Sequence, residues 1–451
     1  MSEEAKVGKD LVYGAAFDCA CLDDLTTAGT LPTKQTNQVD WWGLHAQGTQ
    51  NPTGVPGLQV DGYFLDASKT TTAPGNYYGN PKYSCDSQFV MRFPRDWNEK
   101  LVVTGSPGVR GQYANDFIIG DFVLEQGYAF ASTDKGNSGP RFYSADNVPG
   151  AAVAEWHRRV KQLTEAAKEA AEKHYGIKPR RTYVTGTSNG GYLTRYALEN
   201  HPELYDGGVD CQGPLWVDPD EYGSDPDGGP NLLTFLPRAL RYFPEYDDLR
   251  SRAARDAIIL AGFEPASEFL WDYYYGSYWS ITQRIYREEF DPFYIGAEAD
   301  YNFAERLKPP KQANPQLQPL VELQAQEIKK AVKEVSLTGD IGKPLITLHG
   351  TLDALLPIRK TSDRYAQLVD DAGRTDLHRY YRIEGGTHVD SLYDDHPGEL
   401  RPLLPCYRSS FEALVRWAEE GIEPPPSQVV RKRESGDVVN HCPRLKERQG
   451  G

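Results

Sequence analysis

Long apolar runs are missing from this 451-residue sequence, and no stretch approaches the ~20 apolar residues that a membrane-spanning helix needs. A basic excess is missing too, because 64 acidic residues outnumber 49 lysines and arginines and give a formal net charge of -15. Proteins that bind phosphate backbones usually present a basic face, so neither nucleic acid nor a membrane is an expected partner. The start, MSEEAKVGKD, also lacks the basic and apolar regions of a signal peptide.

Closely spaced cysteine pairs are absent as well. The six cysteines are scattered without the CxxC spacing of a structural zinc site: Cys19, Cys21, Cys85, Cys211, Cys406 and Cys442. Their even number favours disulfides in an exported protein, with buried free thiols as the alternative. Cys19 and Cys21 are too close in sequence to pair easily with each other, so if both are oxidised we expect at least one of them to reach a distant partner such as Cys85.

What the sequence does contain is an alternation of short apolar segments and helical patterns. The apolar segments predict strands at 88–94, 100–105, 128–134, 182–188, 344–350 and 378–386. The helical patterns lie at 113–126, 151–175, 190–200, 358–373 and 407–420. This alternation predicts an α/β fold with a mostly parallel sheet flanked by helices.

The alternation stops between residues 215 and 335, where an acidic Gly/Pro-rich loop and aromatic clusters intervene. We expect residues 88–214 and 336–423 to form the α/β domain, and residues 215–335 to form a lid inserted between its late strands. Residues 1–87 are rich in Gly, Thr, Asn and Pro and predict an N-terminal elaboration of short strands and loops. Residues 424–451 predict a Pro-rich, charged tail that is mostly peripheral unless its cysteine ties it down.

The sequence Gly-Thr-Ser-Asn-Gly at residues 186–190 fits the G-x-S-x-G pattern and lies between a predicted strand and a predicted helix. Glycines on both sides let the backbone turn sharply, so that Ser188 stands at the tip with its hydroxyl exposed. The N terminus of the following helix favours a developing anion, and the amide of Asn189 can point at it. An ordinary strand-to-helix turn is the alternative.

A serine hydroxyl needs an oriented general base, and in this arrangement the acid and the histidine follow the serine along the chain. Asp353 comes just after the strand LITLHG, and His388 comes just after the next strand. We therefore expect Ser188 to attack, His388 to carry the proton and Asp353 to orient the imidazole. Asp353 as the cap of a nearby helix is the alternative, and Asp390 is the rival acid. His349 lies inside an apolar strand and is expected in the core.

A second backbone donor for a tetrahedral intermediate is expected from the loop after an earlier strand. The segment LVVTGSPGVRG, residues 101–111, supplies such a loop. The amide of Ser106 is the expected donor, since Pro107 has no N–H, and Gly108 is the fallback. A purely structural turn is the other interpretation.

Together these motifs resemble those of the tannase and feruloyl esterase family and of the related 3-hydroxybutyrate oligomer hydrolases. The resemblance covers roughly 88–216 and 340–420 and rests on FPRDWNEKLVVTGSPGVRG, GYAFASTDKGNSG, HYGIKPRRTYVTGTSNGG, HPELYDGGVDCQGP, HGTLDALLP and GGTH, in that order. It implies an α/β-hydrolase with a large lid between strands. It also implies an exported serine ester hydrolase, with no required cofactor, that acts through an acyl-enzyme on aromatic (phenolic) esters or on polyester and hydroxyalkanoate oligomers.

The resemblance also implies a cysteine just before the serine and another just after the histidine, joined as a disulfide beneath the triad. Here these positions hold Thr187 and Val389. Specificity for gallate or ferulate therefore does not follow from the resemblance. A serine peptidase or amidase would use the same triad, and a non-catalytic binding protein could share the scaffold, so both remain alternatives.

The predicted lid contributes two further sets of candidates. The aromatic set could stack on a substrate or simply form the core of the lid, and its members are Trp271, Tyr275 and Trp279. The acidic set could hold a structural calcium ion or form a solvated turn, and its members are Asp218, Asp220, Asp225 and Asp227.

Overall fold

The computed structural model describes residues 10–66, 78–83, 85–136, 148–220, 231–309, 311–312, 314–432, 436–443 and 445. Within these residues ten strands form one sheet. They are β1 (Ala15–Leu22), β2 (Gly57–Phe64), β3 (Gln88–Pro94), β4 (Lys100–Gly105), β5 (Ala129–Thr133), β6 (Arg181–Thr187), β7 (Gly207–Cys211), β8 (Leu345–Gly350), β9 (His378–Ile383) and β10 (Gln428–Val430). Their order across the sheet is β1-β2-β3-β5-β4-β6-β7-β8-β9-β10.

Eight longer helices pack on the sheet or build the segment between β7 and β8. They are α1 (Ala151–Tyr175), α2 (Asn189–Asn200), α3 (Leu232–Leu249), α4 (Arg252–Leu260), α5 (Ser280–Phe290), α6 (Gln318–Glu334), α7 (Ser362–Asp371) and α8 (Leu404–Glu420). Short α-helices lie at Thr27–Thr30, Gln38–Trp41, Asp121–Glu125, Trp271–Tyr274 and Phe303–Leu307, and π-helical turns at Asp116–Gly120 and Tyr275–Trp279. These counts refer to the part of the chain described above.

Parallel pairing runs from β5 through β4, β6, β7, β8 and β9 to β10. The predicted α/β fold with a mostly parallel sheet is thus confirmed. The long helix α1 has the predicted bounds, because Gly150 and Gly176 flank it with φ angles of 76° and 83° that favour glycine. The predicted helix at 113–126 is wrong in part, since a π-helical turn and a short α-helix replace it.

Both ends of the chain contribute strands to this sheet. β1 and β2 extend it in antiparallel fashion, with Val60 of β2 opposite Met91 of β3. At the other edge β10 pairs in parallel with β9, and Val430 lies opposite Ile383. The tail predicted to be peripheral therefore completes the sheet, a pairing that local composition does not reveal.

A disulfide joins Cys406 of α8 to Cys442, with Cα atoms 4.7 Å apart, and ties the tail to the domain. Cys85 is not part of a disulfide. The link from Cys19 or Cys21 to Cys85, expected if both were oxidised, is therefore not formed. In the antiparallel pairing of β1 with β2, Cys19 lies opposite Val60 and Cys21 lies opposite Leu58.

The predicted lid segment lies between β7 and β8, which are neighbouring parallel strands. Its buried side chains, among them Trp216, Phe243 and Phe290, form one hydrophobic cluster with Trp156 of α1 and Tyr192 of α2. The segment therefore packs on the helices of one face of the sheet and shares their core. No helix in the described ranges combines the length and the apolar character that crossing a membrane requires.

Candidate active site

The tight turn between β6 and α2 presents Ser188. Its φ of 54° and ψ of -123° are unusual for a residue with a side chain. A Cβ atom on Gly190 would lie 2.4 Å from the carbonyl oxygen of Gly105, and one on Gly186 would lie 2.6 Å from the backbone of Gly190. Gly190 is therefore needed so that the start of α2 can approach the end of β4, and Gly186 so that β6 can approach the start of α2.

The structure brings the three predicted residues together although they lie on three separate loops. Nε2 of His388 is 3.1 Å from Oγ of Ser188, and Nδ1 of His388 is 2.8 Å from Oδ2 of Asp353. An ionised carboxylate only accepts hydrogen bonds, so Nδ1 carries the proton. The lone pair of Nε2 is then free to accept the serine proton.

Asp353 is buried after β8, and its environment keeps it ionised. Oδ1 accepts hydrogen bonds from the backbone amides of Leu355 and Leu356, both at 2.8 Å. Burial on its own would raise the pKa of Asp353, but the electrostatic interactions and hydrogen bonds with His388 and His349 outweigh burial and hold that pKa well below its usual range.

His349 was expected to be an ordinary core residue, and its contact with the acid was missed. Its Nε2 is 3.2 Å from Oδ2 of Asp353 and 2.9 Å from the carbonyl oxygen of Leu356. Both neighbours accept hydrogen bonds, so Nε2 carries a proton that helps to fix the carboxylate. The spacing of four residues between His349 and Asp353 across the strand end was the available signal.

Asp390, the rival acid, has a structural position. Its two carboxylate oxygens accept from the amides of Leu403 and Leu404 at 2.7 and 2.9 Å, where α8 begins. Burial raises the pKa of Asp390 to about 6, although these two hydrogen bonds oppose the shift. Its carboxylate thus satisfies a helix N terminus and is not the partner of His388.

Gln212 holds the histidine loop and was not singled out from the sequence. Its side-chain Nε2 donates to the carbonyl oxygen of His388 at 3.1 Å, and its Oε1 accepts from the amide of Gly350 at 3.3 Å. Its φ of 55° is in the left-handed region. Because this strained residue bridges β8 and the histidine loop, it fixes where His388 stands.

The expected oxyanion donor at Ser106 is wrong in this structure. The amide of Ser106 donates to the carbonyl oxygen of Thr133 at 3.0 Å, which continues the parallel ladder between β4 and β5. Its hydroxyl is 2.8 Å from the carbonyl oxygen of Arg110, so the whole residue is engaged within the loop. The next residues of the loop, Gly108 and Val109, line the same cavity as Ser188 and Asn189.

A cavity of about 290 Å³ opens onto Ser188. Most of its lining is apolar or carries a hydroxyl, and no carboxylate side chain lines it within the described residues. The segment between β7 and β8 contributes Ser277, Tyr278, Ile281, Thr282, Ile285 and Tyr286 to the lining. One face of α5 and the turn before it therefore form the wall opposite the serine.

The three aromatic candidates do not line this cavity. Trp271 and Trp279 are completely buried, and Tyr275 stacks on Phe243 with ring centroids 4.5 Å apart. The indole N–H of Trp279 donates to the carbonyl oxygen of Ala354 at 2.7 Å. The interpretation of these rings as substrate contacts is therefore wrong. They form the core beneath the cavity wall, and Trp279 braces the loop that carries Asp353.

We expect Trp279→Ala to lower the free energy of unfolding by about 3–5 kcal/mol, because it removes a fully buried ring and leaves a cavity. Ile281→Ala is the matched control, since Ile281 is 38% exposed and lines the cavity, and its cost should be below about 1.5 kcal/mol. Urea unfolding of both variants measures the difference. Equal stabilities for the two variants would contradict the assignment of Trp279 to the core.

The acidic candidates are only partly within the described chain. Nζ of Lys333 lies 2.7 Å from Asp218, and Nζ of Lys329 lies 2.9 Å from Asp220, so lysines of α6 balance both carboxylates. Asp225 and Asp227 fall outside the described residues. Among the residues that are described, no cluster of three or more His, Cys, Asp or Glu side chains could hold a metal ion.

A mostly parallel sheet, a serine on a strained turn after β6, and an acid and a histidine after β8 and β9 together define an α/β-hydrolase. Solved structures agree with this class. Feruloyl esterase B from Aspergillus oryzae aligns with a TM-score of 0.55 and 15% identity, covering 94% of this chain and 90% of its own. An esterase from Aspergillus oryzae aligns with a TM-score of 0.52 and 14% identity over 93% and 90% of the two chains. Because the sequence identities are this low, the two alignments establish a similarity of fold and nothing further.

Family comparisons narrow the class. The model of the tannase and feruloyl esterase family matches residues 79–214, and that of the 3HB-oligomer hydrolases matches residues 301–449. Each match covers less than half of the chain, so this α/β-hydrolase is similar to the tannase and feruloyl esterase family over residues 79–214 and to the 3-hydroxybutyrate oligomer hydrolases over residues 301–449, as its motifs predicted.

Two curated relatives support this placement. A probable feruloyl esterase B-1 of Aspergillus terreus is 25% identical over 199 residues, 43% of this chain and 36% of the relative. A D-(-)-3-hydroxybutyrate oligomer hydrolase of Burkholderia mallei is 34% identical over 107 residues, 23% of this chain and 15% of the relative. The matched segments thus span about a third of the first relative's length and less of the second's.

Proposed function

We propose that this protein is a serine carboxylic ester hydrolase that works through an acyl-enzyme. The observation that carries the proposal is the contact of His388 with Ser188 at 3.1 Å and with Asp353 at 2.8 Å, at the floor of a cavity. The relatives' names support ester cleavage, since one is a feruloyl esterase and the other hydrolyses 3-hydroxybutyrate oligomers.

The proposed reaction follows from these contacts. Oγ of Ser188 attacks the ester carbonyl carbon while Nε2 of His388 takes the hydroxyl proton, and the carbonyl electron pair moves onto the oxygen. The amide of Asn189, at the N terminus of α2, faces the developing oxyanion. The intermediate then expels the alcohol, which receives the proton from His388. Water attacks the acyl-enzyme by the same route and releases the acid and Ser188.

The cavity lining supports an uncharged or anionic substrate. Apolar side chains of the lining include Ile281 and Ile285 of α5, and Leu355 and Leu356 of the loop after Asp353. A cationic group would find no carboxylate among the described lining side chains, whereas Arg110 is one of the lining residues. We therefore propose aromatic esters or hydroxyalkanoate oligomers as the substrate class.

A substrate panel tests the proposal. Rates on p-nitrophenyl butyrate, methyl ferulate, 3-hydroxybutyrate oligomers, an aromatic polyester and a peptide anilide should show ester cleavage, with products identified for each. A fluorophosphonate probe should label Ser188 in the wild type and leave Ser188→Ala unlabelled. Faster cleavage of the anilide than of every ester would favour a peptidase instead.

We further propose that the enzyme is exported. The disulfide between Cys406 and Cys442 supports this, because such bonds persist mainly in oxidising compartments.

A further inference from the structure

The loop that follows β4 is held from behind by two buried side chains. Nζ of Lys135 donates to the carbonyl oxygen of Gly108 at 3.1 Å, and Nδ2 of Asn189 donates to the same oxygen at 3.2 Å. Lys135 is completely buried, and its Nζ also lies 2.8 Å from Oγ of Ser106. The proposed reaction does not otherwise use this lysine.

The direction of the Gly108 carbonyl determines the direction of one amide. The carbonyl of Gly108 and the N–H of Val109 belong to the same peptide unit, and in a trans peptide they point in opposite directions. Because the carbonyl points inward to Lys135 and Asn189, the N–H of Val109 points outward. Both Gly108 and Val109 line the cavity that contains Ser188.

The side chain of Asn189 is in turn oriented by the segment between β7 and β8. The carbonyl of Gly108 can only accept, so the NH2 group of Asn189 must face it. Oδ1 of Asn189 then faces the hydroxyl of Tyr286 at 2.5 Å, and that hydroxyl must donate. Burial raises the pKa of Tyr286, so its hydroxyl keeps the proton that this hydrogen bond needs.

We infer that Lys135, the side chain of Asn189 and Tyr286 are positioning residues that aim the amide of Val109 at the oxyanion, so that a helix of the predicted lid sets the oxyanion hole. The inference rests on the proposed ester hydrolysis and adds the second donor, Val109, in place of Ser106. The amide of Asn189 and the amide of Val109 are then the two donors. Tyr286 of α5 acts on the Val109 amide through the side chain of Asn189.

Three variants test the inference. Lys135→Met and Asn189→Ala should each lower kcat on p-nitrophenyl butyrate by about 10- to 100-fold, which is less than the loss of a complete oxyanion donor. Tyr286→Phe should lower kcat by about 3- to 10-fold, because it loosens Asn189 without removing it. KM should change by less than about twofold, since the interaction strengthens only in the transition state.

A trifluoromethyl ketone provides a readout that a general loss of structure does not imitate. It forms a tetrahedral adduct with the serine, so its Ki should rise in each variant by the same factor by which kcat falls. Tyr286 acts through Asn189, so the double variant Tyr286→Phe/Asn189→Ala should be no slower than Asn189→Ala alone.

Matched controls separate positioning from stability. Nζ of Lys168 donates to the carbonyl oxygen of Leu204, and the hydroxyl of Tyr205 contacts Thr164, both away from the site. Lys168→Met and Tyr205→Phe should therefore lower the melting temperature as much as their counterparts do, with kcat within about twofold of wild type.

Two results would overturn the inference alone. Both presuppose that the wild type cleaves the ester. One result is a rise in KM of the three variants with kcat intact. The other is a loss of kcat in the variants while the Ki of the trifluoromethyl ketone stays unchanged. A wild type that cleaves no ester would overturn the proposed function and the inference with it.

Discussion

Replacing Ser188 by alanine should lower kcat on p-nitrophenyl butyrate by about 10⁴-fold or more, and His388→Ala should do the same. The serine supplies the bond-forming oxygen and the imidazole removes its proton, so neither works without the other. The double variant should therefore be little worse than either single one. Steady-state kinetics with each purified variant measure this.

Two controls keep the result specific. Ser336→Ala removes a hydroxyl that donates to the carbonyl oxygen of Val332. His201→Ala removes a partly exposed imidazole. Neither residue lines the cavity. Both should retain nearly full activity. Residual turnover above about a hundredth of wild type in Ser188→Ala would mean that the nucleophile lies elsewhere.

Asp353→Asn should lower kcat by about 10⁴-fold while the protein stays folded. The amides of Leu355 and Leu356 require an acceptor at Oδ1, so the asparagine amide nitrogen must take the place of Oδ2. There it would face the N–H groups of His388 and His349, which are also donors. His388 relieves the clash by moving its proton to Nε2, where it can no longer act as a base.

Asp390→Asn is the matching control for the acid. An asparagine can accept from only one of the amides of Leu403 and Leu404, so the start of α8 should be destabilised by about 0.5–2 kcal/mol with kcat little changed. A large loss of kcat in Asp390→Asn, together with an active Asp353→Asn, would reverse the assignment of the acid.

The parallel sheet and the positions of Ser188, Asp353 and His388 at its strand ends were accessible from sequence because local patterns carry them. The strand at 181–187 and the glycines around Ser188 each reflect a requirement within a few residues, and Asp353 and His388 each follow a strand that its own apolar pattern predicts. The contact of His349 with Asp353 was missed, because an apolar strand such as LITLHG predicts burial and the four-residue spacing to Asp353 does not by itself identify the partner.

The aromatic segment shows why the wall of the cavity could not be predicted. Its composition indicates a cluster of rings, but the π-helical turn at Tyr275–Trp279 changes the directions of the side chains in and after it relative to an unbroken α-helix. Trp279 consequently faces inward, while Tyr278 and Ile281 reach the cavity. The prediction that the Ser106 amide is an oxyanion donor failed for a similar reason. That amide donates to the carbonyl oxygen of Thr133, and this hydrogen bond depends on pairing between strands that are distant in sequence.

The long excursion between β7 and β8 also governs when the proposed activity can appear during synthesis. About 130 residues separate the end of β7 from the start of β8, and a ribosome adds about 5–20 residues per second. For roughly 7 to 27 s the growing sheet therefore carries an unpaired edge at β7, which exposes the nascent chain to aggregation. During that interval Ser188 has been synthesised without its base or its acid, so the nascent chain cannot cleave esters before the final strands emerge.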